Sequence, residues 1–111
     1  SLPSPEEGSA EIAFRVQAAR NIQTERFSRY PTKSRPHTNA EAEGKVLEEI
    51  TRLGQDELNL MQKAADKFRL SARAYYRVLK VSRTIADLEG IEDIATRHIA
   101  EALRYRRNKV K

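Results

Sequence analysis

Arg73 and Arg77 stand four residues apart in the run Leu70 to Leu88 (LSARAYYRVLKVSRTIADL), a spacing that puts two cations on one helix face. Ser71 is a good helix N-cap, and Leu70 and Tyr75 fall where a hydrophobic staple would close the first turn. Arg73 then lies in that first turn, against the positive end of the helix dipole, at a cost of about 0.3–1 kcal/mol. Bare N–H groups and a guanidinium aimed at the same place are an arrangement for an anion, and a guanidinium can hold two phosphate oxygens at once. Ser71, Arg73 and Arg77 are therefore the candidate anion-binding residues, with Arg69 and Lys80 close to the same side. The plainer alternative is a solvated basic face balanced by acids from another helix.

Other chemistry is poorly supplied. The sequence has no GxxxxGK[ST] phosphate loop, and Gly8, Gly44, Gly54 and Gly90 are scattered singly. His37 and His98 do not share metal-ligand spacing, and there is no cysteine, so no metal site is expected. His37 reads as a solvated loop residue and His98 as a surface or packing residue. The neighbouring acids Glu48 and Glu49, like Glu92 and Asp93, would splay apart on a helix rather than converge. An independent enzyme is not expected.

Apolar residues recur at helical spacing throughout, and alternation over four or more residues is absent. The pattern predicts an all-α bundle of four core helices plus an N-terminal one. Residues 1–8 read as a linker, with a helix from about Ser9 to Arg26 carrying the stripe Ile12, Val16, Ala19 and Ile22. Residues 28–38, with two prolines and almost nothing to bury, read as a mobile loop. Asn39 is expected to cap a second helix that buries Val46, Leu47, Ile50 and Leu53 and stops at Gly54. Asp56 is expected to cap a third, with Leu58, Met61, Ala65 and Phe68 inward. The long helix from Ser71 stops at Gly90, and a fifth holds Ile99, Ala102, Leu103 and Tyr105. The helical domain thus spans residues 9–106, and residues 107–111 form a basic tail.

At 111 residues the chain suits one domain. It has no apolar run long enough to cross a membrane and no signal-peptide pattern, so a cytoplasmic location is expected. The net charge of +5 is uneven: from Asp66 onward there are twelve Lys/Arg against six Asp/Glu, and before it nine against ten. Such a basic half is compatible with nucleic acid, nucleotide or an acidic partner.

The run LSARAYYRVLKVSRTIADLEG, followed by Ile94 and the segment His98-Ile99-Ala100-Glu101-Ala102-Leu103 with Tyr105-Arg106, resembles the C-terminal domain of the magnesium-chelatase-like, competence-associated AAA+ ATPases. The segment Ser9 to Phe27 resembles the lead-in helix of that family, and Asn39-Ala40 the start of its next helix, so the likeness covers nearly the whole chain. Typical members carry His in place of Tyr76 and Ala in place of Ser82. The resemblance implies the helical lid that follows an upstream nucleotide-binding domain of the same chain. It implies ATP, with Mg, as the cofactor of the full-length protein, and no cofactor for the lid alone. It makes Arg73 the sensor-2 arginine reaching the γ-phosphate, and the parent a hexamer that remodels DNA or protein. Two rivals remain: the lid of a true magnesium-inserting chelatase subunit, and a stand-alone basic helical module that binds nucleic acid.

Overall fold

The computed structural model describes residues 8–110, with side chains to Arg107; the rest of the expected linker and the end of the basic tail lie outside them. Five α-helices and no strand occur among the described residues: α1 (Ser9–Phe27), α2 (Gly44–Ile50), α3 (Gln55–Phe68), α4 (Ala72–Glu89) and α5 (Thr96–Val110). The all-α expectation holds.

The long helix α4 forms as its sequence dictates. The Ser71 hydroxyl accepts from the Ala74 N–H at 3.1 Å, and Leu70 and Tyr75 both pack against the core. Its end is a Schellman turn: Gly90 takes φ 73°, its N–H reaches the Asp87 carbonyl, and the Ile91 N–H reaches Ala86. Only glycine adopts that backbone without a Cβ penalty. The same turn closes α3, where the Leu70 N–H reaches Ala65 and Arg69 takes φ 52°.

Three boundaries differ from expectation. Asn39 does not cap α2; it opens a separate 3-10 turn, Asn39–Glu41, and is itself buried. The chain then runs extended through the buried Ala42, and α2 starts only at Gly44, whose positive φ makes the corner. Gly54 is the N-cap of α3 rather than the stop of α2, which moves Asp56 into the first turn. There a carboxylate favours the helix through the dipole instead of through a cap bond. The loop before Asn39 is also less open than its composition suggests. Pro36 is buried, and the Arg35 guanidinium donates to the carbonyls of Ser28 and Tyr30.

The interior has two apolar clusters. Met61, Val78, Leu79, Ile85, Ile94, Ile99 and Ala102 unite α3, α4 and α5. Phe27, Ala42, Leu47 and Ile50 unite α1 with the segment through α2. Tyr76 packs against both. On α1 the buried stripe is Ala19, Gln23 and Phe27; Ile12 and Ile22 are half-buried and Val16 is exposed. The stripe shifts toward Gln23 and Arg26, which bond Asn39 and Asp87.

Candidate functional site

Arg73 stands in the first turn of α4 and is exposed. The Ser71 cap satisfies the Ala74 N–H, and the Ser71 carbonyl takes the Tyr75 N–H. The Ala72 and Arg73 N–H groups have no partner within the helix. Arg73, Arg77 and Lys80 on α4 line a groove of ≈1100 Å³ together with Arg104 of α5. Val81, Ile85 and Leu88 add apolar lining, and Glu43 and Glu101 line it as well. Lys80 is committed, donating to the Ala40 carbonyl at 2.9 Å. Among the described residues no hydrogen bond or ion pair reaches the guanidinium of Arg73 or Arg77. Tyr76 lines the same groove and meets Tyr75 edge-on, ring centroids 5.4 Å apart. The structure thus brings Arg73 and Arg77 into one concave surface, while the Ser71 hydroxyl is used as the cap.

Arg73 and Arg77, on successive turns with the first beside open N–H groups, repel each other, and an anion between them would be favourable. The residues present fit a phosphate. Among the described residues there is no group of three His, Cys, Asp or Glu able to hold a metal ion.

A second polar assembly, outside the residues the sequence points to, is buried between α1 and α4. The fully buried Asp87 carboxylate accepts two bonds from Arg26, at 2.9 and 2.7 Å, joining α1 to α4. Asn39 donates to Asp87 at 2.8 Å and to the Thr84 hydroxyl at 3.1 Å, and accepts from Arg26 at 3.0 Å. The Asn39 N–H in turn donates to the buried Gln23 side chain. Arg83, one turn before Asp87, approaches the same carboxylate at 3.2 Å and donates to the Ile91 carbonyl. Burial pushes the Arg83 pKa down while Asp87 pulls it back up. Its Nε has no partner. The signal was present: Arg83 and Asp87 sit at i and i+4 among Ser82, Ile85 and Ala86, charges inside an apolar stripe. Arg26, from across the interface, is the second cation on that carboxylate.

The two histidines separate. His37 is exposed and paired with Glu41 through both its backbone N–H and its ring. His98 is fully buried and structural. Its Nδ1 accepts from the Ala95 N–H at 2.8 Å, so its Nε2–H donates to Glu89 at 3.0 Å. This is the return half of a capping box, supplied by imidazole at the start of α5. No helix among the described residues is long and apolar enough to cross a membrane.

Comparison with known proteins adds context to this geometry. A family model described as "Magnesium chelatase, subunit ChlI C-terminal" matches residues 6–106. Competence protein ComM of Haemophilus influenzae is 42% identical over 100 residues, which cover 90% of this chain and 18% of that protein. The uncharacterized protein YifB of Salmonella typhimurium is 35% identical over 100 residues, 18% of its length. YifB of Escherichia coli is 32% identical over 102 residues, 92% of this chain and 19% of that protein. The chain therefore spans less than a fifth of the length of the curated relatives it matches.

Proposed function

The chain belongs to the family of magnesium chelatase ChlI C-terminal domains, and from that premise we propose that it is the helical lid of an AAA+ ATPase whose Arg73 binds the γ-phosphate of ATP. The observation that carries this is the placement of Arg73: first turn of α4, exposed, next to open N–H groups, with no partner among the described residues. Held against the positive end of a helix, that guanidinium is favourable only when an anion is close. Arg77, one turn on, adds a second positive charge to the same groove. Both cations act as charge stabilisers. When MgATP is bound, they counter the negative charge that builds on the phosphoryl oxygens during transfer. The phosphate loop and the Mg-binding acid come from the preceding nucleotide-binding domain of the same chain, and the working form is a ring, a hexamer.

Two cellular roles are compatible with the relatives. Remodelling of DNA has the support of the basic C-terminal half and of a relative named for competence. Metal insertion has the support of the family's description. Movement of branched DNA by the full-length ATPase assigns the first, and magnesium insertion with partner subunits the second.

The deciding experiment is Arg73→Ala in the full-length protein. ATP turnover should fall by at least about 10²-fold, with the melting transition of this domain unchanged. Normal turnover in a folded Arg73→Ala protein would remove Arg73 from the site.

A further inference from the structure

One apolar cluster joins α1 to the segment through α2, and the other joins α3, α4 and α5, the group that carries Arg73. Tyr76 packs against both, and α1 packs directly along α4. Near the end of α4 that contact is a polar joint: Arg26 and Asn39 bond Asp87 and Thr84, and Lys80 reaches the Ala40 carbonyl.

A joint made this way differs from an apolar one. Grease tolerates sliding, whereas a forked guanidinium on a carboxylate fixes angle as well as distance. Asp87 also sits at the far end of α4 from Arg73, fourteen residues away, about 21 Å along a stiff helix. A tilt of about 5° at the joint would move the Arg73 end by about 2 Å. Displacements of that size cost about 10²-fold when a group must meet a reacting centre.

We propose that Asp87 is a positioning residue for Arg73: through Arg26 and Asn39 it fixes the angle at which α4 presents its first turn to a phosphate held outside this domain. This rests on the phosphate role proposed for Arg73. The lead-in helix α1 and the sensor helix α4 then move as one body, and the nucleotide-binding domain steers Arg73 through that joint.

The test uses the full-length protein with Arg73→Ala, Asp87→Asn and the double variant. Asp87→Asn keeps the shape of the side chain and removes the charge that holds both guanidiniums. At a temperature where melting shows it folded, its kcat should fall at least about tenfold, with KM for ATP little changed. The double variant should be no slower than Arg73→Ala alone, because placement of an absent guanidinium has no effect. A folded Asp87→Asn protein with unaltered kcat overturns the proposal, as do losses that multiply in the double variant. If Arg73→Ala itself leaves kcat unaltered, the phosphate reading fails and this inference falls with it. Should Asp87→Asn not fold, Arg26→Lys is read by the same comparisons, since it keeps the charge and loses the fork.

Discussion

At the scale of single residues, the domain contains two kinds of arginine. Arg26 and Arg83 are held by one buried carboxylate, whereas Arg73 and Arg77 share a groove with Glu43 and Glu101 and form no ion pair with a described residue. The first kind is structural and the second is available. Removing the shared carboxylate leaves two guanidiniums uncompensated in a low-dielectric seam, so Asp87→Ala should cost about 3–5 kcal/mol, measured by denaturant unfolding. Ser71 separates differently. Its cap bond uses a lone pair and leaves the hydroxyl hydrogen for another acceptor. Ser71→Ala should therefore lower stability by about 1 kcal/mol, and a loss of ATP affinity beyond that of Ser71→Asn, which keeps the cap, would show a direct contact with phosphate.

At the scale of elements, the junction of α4 and α5 is tied by Gly90 and by the Glu89–His98 pair. Gly90→Ala forces a Cβ into the left-handed region and should cost about 1–2 kcal/mol, visible as a lowered melting temperature. Glu89 makes a pH prediction. Hydrogen bonding from His98, and then from Arg97, holds its carboxyl below the usual 4.5. A carboxyl depressed in the folded state contributes stability that is fully present above its unfolded value. That contribution disappears as pH falls through the folded value. Stability should thus drop as the solution is acidified below about 4.5, and Glu89→Gln should flatten that part of the curve in thermal melts at stepped pH.

At the scale of the whole molecule, two small apolar clusters are tied together by α1 packing along α4 and by the buried network on Asp87, so cooperativity depends on that interface. Neither cluster is large enough to be secure alone. In the unaltered protein, amides of α1 and α3 should therefore exchange hydrogen with similar opening free energies. In Asp87→Asn, α1 and α2 should open first while α3 and α5 stay protected. Equal loss of protection in all helices would show that the remaining α1–α4 packing and Tyr76 suffice to couple the clusters.

Periodicity alone located five helices, and the LSARA run placed Ser71 at a cap and Arg73 in a first turn, because those are local properties of a few consecutive residues. The stop at Gly90 was legible for the same reason. Asn39 is not a cap and Gly54 is not a stop, because each residue type serves equally well in another place. Asn39 has an amide that finds better partners in Asp87, Thr84 and Arg26, residues 13 to 48 positions away. No local pattern contains those partners. The groove that collects Arg73, Arg77 and Arg104, and the seam that joins Arg26 to Asp87, exist only once α1 and α5 have packed against α4. The sequence thus determined which residues could cap, bury or bind; the tertiary structure decided which charges were spent on each other and which stayed unpaired. The reason is physical: buried charges must find counter-charges across chain separations that no helical period encodes.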